Sequence, residues 1–202
     1  RARSILACDL EVDDGETRLM TVRPIRYLGD PVLRKPAKKI SRVDDSIRRL
    51  IADMTESMYA AHGVGIAAPQ IGVGLRAFSY NVDDEIGYVI NPVLEVSGEP
   101  ELIDEGCLSV PGFYFPRERY PHAKVTGVDR IGNPVVLEGD GVMAQALQHV
   151  AAPFTTAVRR YVDEVGQPPQ HVRSLIERNE SSPLALKGST EEAQFAGAKA
   201  PA

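Results

Sequence analysis

The sequence predicts one α+β domain in which antiparallel strands surround a buried central helix, and three observations carry that expectation. Residues 41–62 set apolar side chains on one face at helical spacing. Residues 75–137 break into short β-type runs separated by turn residues. Residues 141–150 form a helical run with little polar surface. A chain of 202 residues is long enough for one sizeable core and does not require two domains.

Taken in order, residues 1–22 mix charged and small apolar groups without a clear period and read as an N-terminal extension. The domain is expected over 23–165, with its first packed residue near Ile25. The stretch Leu28-Gly29-Asp30-Pro31-Val32-Leu33-Arg34 holds the Gly, Asp and Pro of a turn. A helix then follows over 41–62, with Asp44, Asp45 or Ser46 available to cap its free amides and Gly63 expected to stop it. Ile47, Leu50, Ile51, Met54, Met58 and Ala61 share one face, a stripe of the width that core packing requires.

Strands are expected at 75–80, 88–90, 93–96, 123–128 and 134–137, with hairpin connections at Asp83-Asp84 and at Arg130-Ile131-Gly132-Asn133. Val142, Met143, Ala146, Leu147 and Val150 then make the buried helix. Gly166-Gln167-Pro168-Pro169 is a breaker, and the tail 166–202, poor in large apolar groups from Glu177 on, is expected to be disordered or only locally helical. No internal repeat is evident.

Composition narrows the functions. Lys and Arg number 23 against 28 Asp and Glu, a net charge of −5, and no basic run supplies the footprint of a nucleic-acid binder. No apolar run approaches the roughly 20 residues that span a bilayer, and the first residues lack the apolar core of a secretion signal, so no membrane is expected and a cytoplasmic location is. Cys8 and Cys107 sit in unlike contexts, which suits a reducing compartment better than a disulfide framework. The chain starts at Arg1 without a Met and reads as a fragment or a processed form.

Three runs could carry chemistry. In Gly63-Val64-Gly65-Ile66-Ala67-Ala68-Pro69-Gln70 small residues permit close backbone approach and Gln70 adds a neutral amide donor, although a tight turn after a helix would look the same. Glu105-Gly106-Cys107-Leu108-Ser109 offers a thiol beside main-chain amides, where a lone Cys more often packs than ligates. Gln148-His149 lies on the apolar helix, where a single His is usually a hydrogen-bonded core residue. A helical His that joins a catalytic metal normally has a second His one turn later and Glu beside it, the Glu moving protons to and from metal-bound water. Here those positions are Pro153 and Val150, and Pro153 should end the helix by about residue 152.

Together, in this order and spacing, the three runs resemble the peptide deformylase family over about residues 25–149. The Leu28–Arg34 stretch and the Asp129-Arg130-x-Gly132-x-Pro134 turn resemble it too. The first two runs are complete, whereas of the family's third, Gln-His-Glu-x-x-His, only Gln148-His149 survives. The resemblance implies metal-dependent hydrolysis that removes the formyl group from the starting Met of new chains. It implies Cys107 and His149 as ligands of Fe²⁺ or another divalent ion, with no counterpart for the third. Gln70 and the Leu108 amide would form an oxyanion hole, and Val64, Gly65, Ile66 and Gly106 would shape the substrate pocket. Tyr114 stands where the family often has a positive charge.

With two ligands and no carboxylate, metal binding and hydrolysis are expected to be impaired. His171, Asp163, Glu164, His62 and His122 fall in no ligand register with His149. Family-like sequence stops within one residue of His149, as a reading-frame shift would produce. Alternatives are a non-catalytic binder of N-formyl-Met peptides or nascent chains, near the ribosome or another enzyme, and a truncated product without function.

Overall fold

The computed structural model describes residues 21–151. The expected tail, most of the N-terminal extension, Cys8 and Pro153 lie outside the described residues. The fold is α+β, as expected. In chain order it comprises α1 (Pro31–Arg34), α2 (Asp45–Ala60), β1 (Gly65–Ala67), a 3-10 turn (Ala68–Ile71), β2 (Ala77–Val82), β3 (Glu85–Ser97), β4 (Glu101–Cys107), β5 (Val110–Arg119), β6 (His122–Val128), β7 (Pro134–Asp140) and α3 (Gly141–Ala151). One antiparallel sheet has the order β1-β2-β3-β6-β7, and β4 and β5 form a separate two-stranded ribbon.

The sheet separates the two long helices. Strand side chains alternate between faces, so Ala77 joins the core beneath α2 while Phe78 and Tyr80 join the core beneath α3. Ser79, on the α2 side, lies 3.3 Å from the hydroxyl of Thr55. Ala144, Leu147 and Val150 of α3 are buried with Phe78, Val89, Val125 and Leu137, so α3 is buried along this face, whereas Val142 in its first turn, expected inside, is 54% exposed.

Helix α2 starts at Asp45, later than the expected 41, because Asp44 is the cap: its carboxylate accepts from the amides of Ser46 and Ile47. Its stop is His62, not Gly63. His62 takes the left-handed conformation (φ 52°), with His62 N–H donating to Tyr59 O and Gly63 N–H to Met58 O, each at 3.0 Å. Gly63 instead lies under a neighbour: a Cβ there would sit 2.7 Å from Leu108 Cδ1, and the Leu108 side chain would have to move.

The runs at 88–90 and 93–96 belong to one strand, β3. A register shift between Ile90 and Val93 interrupts the alternation, and Asn91 (φ 54°) turns its amide to the N–H and carbonyl of Ile40. Asp83 and Asp84, with φ of 51° and 63°, make the two-residue turn between β2 and β3.

Candidate active site

Three elements bring Gln70, Cys107 and His149 together. Gln70, on the 3-10 turn, is held by its own run: Gln70 Oε1 accepts from Ala67 N–H at 2.9 Å. That bond fixes which end of the amide points outward, so Nε2 faces Ser109 Oγ at 3.2 Å and Cys107 Sγ at 3.8 Å. Cys107 closes β4 where its register with β5 shifts, and residues 108 and 109 turn the chain into β5. Residues 105–107 are therefore the end of a strand.

His149 approaches from the last turn of α3. Its Nδ1 donates to Glu105 Oε2 at 3.1 Å, and Glu105 is clamped by Arg119 through Nε at 2.7 Å and Nη2 at 2.6 Å. Glu105 is buried, at 5% exposure. Burial raises its carboxyl pKa, yet His149 and Arg119 outweigh that and hold it below its ordinary value. For His149, burial opposes the charged form, but hydrogen bonding and attraction to Cys107 and then Glu105 push its pKa up to about 10. Burial pushes the Cys107 thiol up, and the hydrogen bond and charge of His149 with the Ser109 amide overcome it, leaving the thiol below its ordinary value.

Gln148 holds α3 in place for this approach. Its Oε1 accepts from Tyr120 N–H at 3.0 Å, while its Nε2 donates to Tyr120 O at 2.8 Å and Ala144 O at 3.0 Å. Sequence reading gave no role to this clamp or to Glu105, Arg119 and Ser109. Glu105 and Ser109 flank Cys107 within the second run and were legible as neighbours. Arg119 meets Glu105 through the β4–β5 ribbon, whose pairing has no apolar alternation to reveal it.

The remaining expected residues fall in different surroundings. Val64 is half-exposed, whereas Ile66 is fully buried in the α2 core, so only its main chain is available to a ligand. Gly65 touches α3: a Cβ there would lie 2.5 Å from Val150 Cγ1. Gly106 pairs with Tyr114, whose ring would meet a Gly106 Cβ at 3.1 Å. Leu108 is partly buried against the α2 core. Val150, in the proton carrier's expected place, is 2% exposed within the α3 core.

A catalytic divalent ion of this chemistry needs three protein ligands and a position for water. Cys107 and His149 supply a thiolate and an imidazole, and Glu105 holds Nδ1 of His149, as an orienting partner rather than a donor. Among the described residues no group of three or more His, Cys, Asp or Glu could hold a metal ion. His62 sits exposed beyond α2, and His122 is engaged by Asp140 at 2.9 Å and Glu138 at 3.1 Å. His171, Asp163 and Glu164 lie outside the described residues. The described donors thus do not fit a complete site for the ion.

The family model for polypeptide deformylase matches residues 22–151. A peptide deformylase of Acidothermus cellulolyticus is 50% identical over 130 residues, covering 64% of this chain and 72% of that protein. One from Mycolicibacterium paratuberculosis is 51% identical over 148 residues, covering 64% and 75%. Among solved structures, peptide deformylase from Thermotoga maritima is 38% identical with a TM-score of 0.64, over 66% of this chain and 92% of its own. A peptide deformylase from Synechococcus elongatus, in complex with actinonin, is 34% identical with a TM-score of 0.64, over 75% and 92%. Among the described residues no helix is long and apolar enough to cross a membrane.

Proposed function

The chain belongs to the polypeptide deformylase family, and from that premise we propose that it recognises the formylated N-terminus of a peptide but hydrolyses it poorly or not at all. Gln70 Nε2 and the Leu108 main-chain amide would take the formyl oxygen. Gly65 and Gly106, with the Val64 and Ile66 backbone, would receive the peptide's first residue. The natural ligands in this reading are formyl-Met peptides or nascent chains in the cytoplasm.

One observation carries the impairment: Val150, where the reaction needs a proton carrier, is a hydrocarbon packed in the α3 core. General acid–base catalysis is worth about 10²–10⁴-fold, so its loss alone is severe. With two donors among the described residues, metal retention should be weak as well. The family match ends at residue 151, two residues past His149, which supports a break in the coding sequence at that point. Reading the DNA in the other two frames after codon 149 tests the break: a His-Glu-x-x-His-like peptide is expected in one of them, and its absence from both overturns the frameshift.

A second reading is a binder without metal chemistry, favoured by the Gln70 amide, which its bond to Ala67 keeps aimed at the site. Calorimetry of the metal-free chain with a formyl-Met peptide and its unformylated counterpart, beside formate release in a single-turnover assay supplied with Fe²⁺, separates residual hydrolysis from binding alone. Saturable, formyl-selective binding without formate is the expected result. Formate release at a family-like rate would refute the impairment.

A further inference from the structure

The Leu28–Arg34 stretch resembles the family yet lies outside the three runs that form the site. The residues that lead into it touch both sides of that site. Arg26 N–H donates to the carbonyl of Gln70 at 2.7 Å, and Leu28 N–H donates to the carbonyl of Ser109 at 2.9 Å. One acceptor belongs to the residue whose side-chain amide faces Cys107. The other belongs to the residue that follows Leu108. A three-residue segment thereby bridges the two turns that carry the proposed oxyanion donors.

The segment is itself secured at both ends. Upstream, Arg23 pairs with Asp53 of α2 at 2.7 Å, and its N–H donates to Ser57 Oγ at 2.8 Å. Downstream, Asp30 caps α1 through Val32 N–H at 2.9 Å. Leu28 is buried. The Arg26 guanidinium lies across Gly72, the left-handed residue (φ 86°) that ends the 3-10 turn; a Cβ there would lie 2.9 Å from Arg26 Nε.

We propose that residues 26–28 are a strap that sets the spacing between the Gln70 side-chain amide and the Leu108 main-chain amide. Arg26 and Leu28 are positioning residues for a ligand carbonyl that neither touches. This rests on the reading that those two amides receive the formyl oxygen. Two donors stabilise one oxygen only if both point at it, so a shift of either turn weakens the pair while leaving the rest of the pocket in place.

Amide-to-ester replacement at Arg26 or at Leu28 in the full 202-residue chain deletes one donor and keeps the side chain. The control is the same replacement at Lys38, whose N–H bonds Gly74 O at 2.9 Å. Two readouts are taken: the ratio of affinities for a formyl-Met-Ala peptide and unformylated Met-Ala, and the resonance of the Gln70 side-chain amide without ligand. Esters at 26 and 28 should lower the ratio about fivefold each, as loss of one hydrogen bond would, and should shift the Gln70 resonance, while the Lys38 ester moves neither. An unmoved Gln70 resonance in both esters, or an equal change in the control, overturns the strap. If the unmodified chain shows no formyl preference, the carbonyl reading fails, and the Gln70 resonance still decides the strap.

Discussion

Val150 presses on Gly65 so closely that a methyl group added to Gly65 would sit 2.5 Å from Val150 Cγ1. The contact joins the first run of small residues to the broken third run. It shows that position 150 is a packed part of the α3 core in this chain, in addition to lacking a carboxylate. Gly65→Ala should therefore destabilise the fold by about 1–3 kcal/mol through overpacking. In a Val150→Ala background the added methyl has room, and the cost should largely disappear. Urea denaturation of the two single variants and the double variant measures this coupling; additive effects would mean the contact is not tight.

Glu105 anchors His149 on one side and Arg119 on the other. Glu105→Gln leaves Arg119, only 16% exposed, without its counter-charge. Breaking a buried pair in this way typically costs about 3–5 kcal/mol. A loss of that size in chemical denaturation is expected, together with a lower His149 pKa by NMR. An unchanged His149 pKa would show that Glu105 does not govern the ring.

The pH dependence follows from opposite shifts. His149 rises from 6.5 to about 10, so its stabilisation is complete below 6.5 and is lost as pH rises through about 10. Cys107 falls below its ordinary 9.0, so its stabilisation is complete above 9.0 and is lost as pH falls through its folded value. Where the windows overlap the slopes oppose each other. Metal-free protein should lose stability between pH 9 and about 10 from His149, and His149→Gln should remove that loss. A melting profile equally steep there in both proteins would contradict the assignment.

Much of this was legible in the sequence because it rests on local patterns. The α2 stripe from Ile47 to Met58 is buried as its spacing required, and Asp83-Asp84 turns as two such residues between β runs should. Gln70, Cys107 and His149 could be picked out from three short runs, and they meet in the fold. What stayed hidden depends on pairing between distant residues. The β4–β5 ribbon buries little and leaves Leu102 and Tyr114 largely exposed, so no alternation marks it, and the Glu105–Arg119 pair it creates was hidden with it. The helix stop went to His62 because the end of α2 is closed by main-chain bonds, which residue type alone does not reveal. Gln148 meets Tyr120 only once α3 packs beside the β5–β6 corner.

The most direct test is anaerobic hydrolysis of a formyl-Met peptide by the purified chain supplied with Fe²⁺ or Ni²⁺, beside a variant carrying Val150→Glu and Pro153→His. The unmodified chain should give no metal-dependent turnover, and the double variant should recover it, placing the defect in the segment after His149. Metal-dependent turnover by the unmodified chain, abolished by Cys107→Ala, would contradict the impairment and require a third ligand and a proton carrier from beyond residue 151.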